Sequence, residues 1–257
     1  MKLSSNWQRF VQIRQQYGLR IAVHQLVARL LRSIFRLQAI EVIILDEKDL
    51  KATPKYAPEI RFRFLTAAEV ADFARDPANE LGPEFADRIV SGNDLCMAAV
   101  DGDRLAAYGW YARGSVEAEH NFGTAMSYPE HMVYMYKGFT HPDYRGLRLH
   151  GIGMSLALQK LAESGVGSLI STVDWTNTAS LRSCDKLGYR RLGRLWSVIG
   201  KGNRLCTTPK AARQLGVRFG STATVTPRPI GEATTAVNGT VHQKSAGSFQ
   251  HFDLNVD

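Results

Sequence analysis

The sequence predicts an α+β protein: a central mixed, mostly antiparallel sheet flanked by helices and preceded by a basic amphipathic helical extension. Three observations carry this expectation. From Ile60 onward the patterns run strand, helices, hairpin, strand, helix, strand, helix, strand, an order that a regular doubly wound sheet does not produce. The 257 residues, 44% hydrophobic and 22% charged, suffice for one sizeable core with extensions. A chain start rich in arginine and aliphatic residues at helical spacing stands apart from that core.

Residues 5–38 read as helix, in one piece or as two helices meeting at Gly18. In the second half Leu26, Val27, Leu30, Leu31, Ile34, Phe35 and Leu37 share one broad face, while Arg29, Arg32 and Arg36 gather opposite with Gln25. Such a helix docks on the following domain or on a second subunit, or it lies on anionic lipid. "AIEVIILD" (39–46) is β-rich, and "EKDLKATPKYAPE" with its two prolines reads as a linker. The expected division is therefore an extension and linker over 1–58, a main domain over 59–215 and a tail over 216–257. From about Thr222 large apolar residues are few, which predicts a disordered tail.

Within the main domain "IRFRFL" alternates as a strand, and Thr66 with Glu69 has the capping-box spacing at the head of a helix. "PEFADRIVSG" is helical up to Gly92, and two apolar strands around Asp101-Gly102-Asp103 form a hairpin. A polar stretch with Glu117, Glu119 and His120 precedes an aromatic strand, His131 to Thr140. "GMSLALQKLAESG" is a helix, "SLISTVDWT" a strand, "NTASLRSCDKLG" a short helix ending at Gly188 and "YRRLGRLWSVIG" a last strand.

A formal charge of +8 and a pI near 9.5 suit an anionic partner such as a phosphorylated cofactor, nucleic acid or an anionic membrane face. No nucleic-acid motif is recognisable, so nucleic acid is not expected as the partner. Cys96, Cys184 and Cys206 are odd in number and lack zinc-type spacing, so a reducing compartment and no metal are expected. Neither a signal-peptide layout nor a long apolar run is found, and the expected location is the cytoplasm, with association to a membrane through the first helix left open.

The stretch "DYRGLRLHGIGMSLALQKL" (143–161) follows a strand and opens a helix. Glycines there either cradle the phosphates of a ligand at a helix N-terminus or make a turn. The chain has neither the P-loop spacing nor GxGxxG. "THPDYRGLRLHGIGMSLAL" followed by "NTASLRSCDKLGY" resembles the GCN5-related N-acetyltransferase (GNAT) superfamily. Arg148, Gly151 and Gly153 match that family's Arg/Gln-x-x-Gly-x-Gly/Ala pattern, and Asn177, Ser180 and Lys186-Leu187-Gly188-Tyr189 match its second segment. One departure is the inserted "LRLH", which lengthens the loop after Arg145-Gly146 by about three residues relative to the family.

The resemblance implies acyl-coenzyme A, acetyl-CoA in the simplest case, as co-substrate. It implies direct transfer of the acyl group to an amine of a small molecule, amino sugar or peptide. The cofactor residues it implies are Phe139 and Thr140 on the strand; Arg145, Gly146, Arg148, His150, Gly151, Ile152, Gly153 and Met154 at the loop and helix start; and Asn177 and Ser180. Asn177 is equally an ordinary helix N-cap, and Gly188 an ordinary helix-ending glycine. The position that in the family often holds a tyrosine acid for the leaving thiolate is Cys184. Candidates near the strand for handling the amine proton are Glu130, His131, Tyr134 and Tyr136, with Glu130 and Tyr136 preferred. Glu117 and Glu119 are candidates for binding a cationic acceptor, and Tyr108, Trp110, Tyr111 and Trp175 for lining its pocket. The alternative expectation is a coenzyme A-binding regulatory module without turnover. The first helix is the candidate for a peripheral membrane contact or a homodimer.

Overall fold

The computed structural model describes residues 18–35, 37–52, 54–92, 94–116, 124–199 and 204–220, with six further positions between Trp7 and Gln15. Glu117, Glu119, His120 and the tail from residue 221 lie outside the described residues, and so do the side chains at 29–33 and 35.

Gly18, at φ +90°, breaks the chain before helix α1 (Leu19–Phe35). Leu37 belongs not to the helix but to strand β1 (Leu37–Asp46). An eight-stranded sheet follows the order β10-β9-β1-β8-β7-β4-β3-β2. Its further strands are β2 (Ile60–Phe64), β3 (Asp94–Asp101), β4 (Arg104–Arg113), β7 (Met132–Thr140), β8 (Ser168–Asp174), β9 (Arg190–Ile199) and β10 (Arg204–Thr207). Every neighbouring pair is antiparallel except β7 with β8. A second sheet joins β5 (Ser115–Val116), β6 (Ala125–Ser127) and β11 (Arg218–Gly220).

The expected boundary near Ile60 is corrected by β1, which lies between β8 and β9. Its near-continuous apolar run is what a strand buried on both faces requires, and Ile40, Val42, Ile43, Ile44 and Leu45 are all buried. The proline-bearing stretch after it is a connection from the middle of the sheet to its β2 edge, not a domain linker. At the other end β11 pairs with β6, so the sheets draw on chain beyond the expected limit of 215.

One sheet face is covered by α4 (Leu149–Ala162) and α5 (Thr178–Leu187), which bury Ile43, Met135, Leu158, Leu181 and Tyr189. Against the other face, α2 (Ala67–Phe73) and α3 (Glu84–Val90) enclose Phe85, Tyr108, Trp110 and Phe139. The capping box forms as expected: Thr66 accepts from the Glu69 amide and Glu69 reaches back to the Thr66 amide. Beside these helices the small sheet and α6 (Lys210–Gln214) cover Ile40, Val42, Tyr128, Tyr134 and Leu195. Tyr136 packs at the border of these two clusters.

Candidate functional site

The site begins where two parallel strands part. The β7–β8 ladder runs from Met132–Ser168 to Met135–Ser171 and stops there, whereas β7 remains paired with β4 as far as Thr140. At the same point the β4–β7 register shifts: Trp110 faces Lys137 and Tyr111 faces Met135, which leaves Tyr136 as the extra residue of a β-bulge. A bulge bends and twists its strand locally. Beyond Met135 the strand edge therefore turns away from β8.

After Thr140 the chain makes a short turn that is tied to the β3–β4 hairpin. Tyr144 donates to Asp101 (2.7 Å) and Arg104 pairs with Asp143 (2.6 Å). Gly146 (φ +81°) and Arg148 (φ +59°) then adopt left-handed backbone to swing the chain into α4. For arginine that conformation costs energy, of the kind that persists where the surroundings impose it. Arg148 is the N-cap of α4 and its side chain makes no cap hydrogen bond, so among the described residues the first-turn amides have no side-chain cap.

A cavity of about 290 Å³ opens in front of those amides. Its walls are Thr140, Arg145, Gly146, Arg148, His150, Gly151 and Ile152 on one side and Ala179, Arg182, Ser183, Lys186 and Leu187 of α5 on the other, with Pro54 at the rim. Among the described residues, four cations and no carboxylate face it. Together with the positive end of the α4 dipole, this donor set fits a polyanion of phosphate type.

His150 is the buried polar group of this wall. Neither ring nitrogen has a hydrogen-bond partner among the described residues. Burial pushes its pKa down to about 4, so the ring is neutral near pH 7. A neutral imidazole presents one donor and one acceptor.

The expected cofactor residues separate into two groups. Thr140, Arg145, Gly146, Arg148, His150, Gly151 and Ile152 line the cavity; Phe139, Gly153, Met154, Asn177 and Ser180 do not. Gly151 and Gly153 lie inside the first turns of α4 rather than in a loop. A Cβ on Gly151 would press on Leu187 at 3.3 Å, so glycine there lets α5 close on the helix start, whereas a Cβ on Gly153 would make only ordinary contact with Phe62 at 3.5 Å. Met154 is core, accepting from the Tyr189 hydroxyl (3.5 Å). Asn177 caps α5 by accepting from the Ser180 amide (3.1 Å), and Phe139 stacks on Tyr108 with ring centroids 5.2 Å apart.

Among the expected catalytic residues, Tyr136 alone stands at the parting of β7 and β8. Its hydroxyl donates to Asp94 (2.6 Å), which also pairs with Arg88 (2.8 Å). Burial, followed by the adjacent Asp94 charge, raises the Tyr136 pKa well above the ordinary phenol value, so it holds its proton. Glu130 is exposed in the turn before β7. It is separated from Thr140 by the length of the strand, about 30 Å at 3.3 Å per residue. Cys184 sits at the edge of the α4–α5 core, and burial pushes its thiol up to about 12. Arg182, Asp94 and Arg88 are not singled out by the sequence, and Lys186 enters it only as part of the Lys-Leu-Gly-Tyr match, not as a cavity residue. Arg182 and Lys186 sit one helical turn apart on α5, a spacing that signals a shared face only once that face is known to border a site.

The fold and site thus define an α+β protein with a parted parallel strand pair beside an anion-accepting helix start. No protein-family model and no curated protein matches the sequence. Among solved structures, the chain is similar to a GNAT-family protein from Novosphingobium aromaticivorans (16% identity over 63% of this chain and 64% of that one, TM-score 0.43). It is also similar to a GCN5-related N-acetyltransferase from Kribbella flavida (13%, 64% and 59%, 0.40). A third is a GCN5-related N-acetyltransferase-like protein from Streptococcus suis (11%, 70% and 66%, 0.44). The chain spans less than two thirds of the length of each.

Proposed function

We propose that this protein is an acyl-coenzyme A-dependent N-acyltransferase that passes the acyl group directly from the thioester to an amine. One observation carries this reading: the β7–β8 ladder ends just where an uncapped helix start and a cation-lined cavity begin. The resemblance of the loop and α5 segments to the GNAT superfamily supports the same assignment.

In this reading the first-turn amides of α4, with Arg145, Arg148, Arg182 and Lys186, hold the phosphates, while the neutral His150 ring packs on Gly138 and fixes α4 against β7. The β7 edge beyond Met135 takes the amides of the pantetheine arm in the manner of an added strand. The amine nitrogen attacks the thioester carbonyl, the C–S bond breaks, the sulfur leaves as a thiolate that takes up a proton, and the attacking nitrogen gives one up. Tyr136, Asp94 and Arg88 stand on the opposite sheet face at the same gap and are assigned to orient the acceptor. Tyr136 keeps its proton, so it serves as a donor and not as the base. Cys184 also holds its proton, because burial raises its pKa, which argues against an acyl-cysteine intermediate.

Titration calorimetry of the full chain with acetyl-CoA, and separately with desulfo-CoA, tests the cavity assignment. Binding of both, followed by thiol release in a screen of amines, supports an enzyme. Binding without release from any amine returns the reading to a regulatory coenzyme A module, and failure to bind either removes both.

A further inference from the structure

Among the described residues, helix α1 leaves Leu26, Val27 and Ile34 of its apolar face exposed. It rests on the body through small residues: Ala22 and Ala28 are 1% and 2% exposed. Gln25 donates to the Thr176 carbonyl (3.1 Å), and His24 meets the Trp175 ring edge-on at 4.4 Å. Five large aliphatic residues face outward. Leu19, Val23, Leu26, Val27 and Ile34 are all between 44% and 67% exposed. Their spacing places them on one stripe of a helix, about 22 Å long at 1.5 Å per residue.

Charge is distributed to match. No Asp or Glu precedes Glu41, whereas Lys2, Arg9, Arg14, Arg20, Arg29, Arg32 and Arg36 all do, so these forty residues carry seven of the eight net positive charges. The excess charge is therefore concentrated, along the sequence, in the segment that contains α1. No described helix is long and apolar enough to cross a membrane.

We infer that α1 is a docking surface for an anionic lipid bilayer, lying flat with its aliphatic stripe in the headgroup boundary. An apolar stripe on a helix without carboxylates has this chemistry: burial of the stripe supplies the attachment, and basic residues within a Debye length of the surface supply the attraction. A second copy of the chain is a poorer occupant, because pairing two such helices brings like charges together. Nucleic acid would match the charge but leave the stripe in water. The contacts of α1 with Trp175 and Thr176 set the bilayer beside the end of β8 from which β7 has parted.

Co-sedimentation of the full chain with vesicles tests this. Vesicles of phosphatidylcholine containing about one third phosphatidylglycerol are expected to pull the protein down, pure phosphatidylcholine vesicles to leave it in solution, and high salt to weaken the binding. The double variant Leu26→Glu/Ile34→Glu alters only exposed positions, so it should keep its thermal midpoint while losing at least ~10-fold in vesicle affinity. Arg20→Glu should lose roughly 10-fold or more on anionic vesicles alone. The inference is overturned if the wild-type chain ignores anionic vesicles, or if the double variant binds them as tightly as wild type. It is equally overturned if sedimentation velocity shows a dimer that the double variant abolishes, or if a model RNA binds where the vesicles do not.

Discussion

His150 packs its ring into the space left by the missing side chain of Gly138. The two residues lie on different elements, α4 and β7, and a Cβ on Gly138 would overlap His150 Nε2 and stand 2.8 Å from Cδ2. Gly138 therefore lets a helix-borne imidazole lie directly on the strand. Gly138→Ala is expected to destabilise the fold by ~1–3 kcal/mol, the usual cost of overpacking. The size of the ring is the cause, so His150→Ser should relieve the clash and the double variant should be more stable than the two single losses add up to. Thermal or denaturant unfolding of the four proteins decides this; strict additivity would place the effect elsewhere.

The same burial gives His150 a pH signature. Its folded pKa is about 4, below the ordinary 6.5. Above pH 6.5 the ring is neutral in both states and has no effect on stability; between pH 6.5 and 4 the unfolded chain takes up a proton that the folded chain refuses. Stability should therefore fall as pH drops through that window, by a few kcal/mol at most. His150→Gln should flatten that part of the profile in denaturant titrations run at several pH values. A wild-type slope that survives the substitution would show that another group carries it.

Arg182 and Lys186 face the cavity from α5 and are exposed. Charge-assisted contacts to a phosphate contribute about 1.5–3 kcal/mol each, so Arg182→Glu or Lys186→Glu should weaken acetyl-CoA binding by roughly 10- to 100-fold. The thermal midpoint should stay within error, since neither side chain is in the core. Calorimetry at low and high salt checks both points. Wild-type affinity in both variants would sink the cradle assignment for α5.

Much of this architecture was legible because it is local. The Thr66–Glu69 box, the hairpin at Asp101-Gly102-Asp103 and the apolar run of β8 each announce themselves within a few residues. β1 reads as part of the extension because two prolines follow it, and only its long-range partners, β8 and β9, reveal it as a central strand. The short strands β5, β6 and β11 carry too few residues to show alternation. At the site, the glycine pattern marks the turn from Arg145 to Arg148 and the start of α4, although Gly151 proves helical rather than part of the loop. The family resemblance implies a splayed gap between β7 and β8, but the residues alone do not place it, because the register shift between Trp110 and Tyr111 leaves no mark on composition. Nor do they mark Asp94, a single carboxylate ahead of a strand, until the bulge brings Tyr136 to it.

Tyr136, Asp94 and Arg88 yield a test that separates an acceptor-side role from packing. Tyr136→Phe removes one donor to a carboxylate that is 4% exposed, yet leaves Asp94 its ion pair with Arg88 at 2.8 Å. The fold should survive with a loss of ~1–3 kcal/mol. Asp94→Ala is harsher, because it removes the carboxylate paired with a half-buried guanidinium, and a loss nearer ~3–5 kcal/mol is expected. On the acceptor-orienting assignment, Tyr136→Phe lowers kcat/KM for the amine by ~10-fold or more while acetyl-CoA affinity is unchanged, since the phosphate cradle lies across the sheet. A merely structural tyrosine would instead lower stability and leave kcat/KM untouched among molecules that remain folded. Steady-state kinetics on a screened amine, paired with calorimetry on acetyl-CoA, distinguishes the two outcomes.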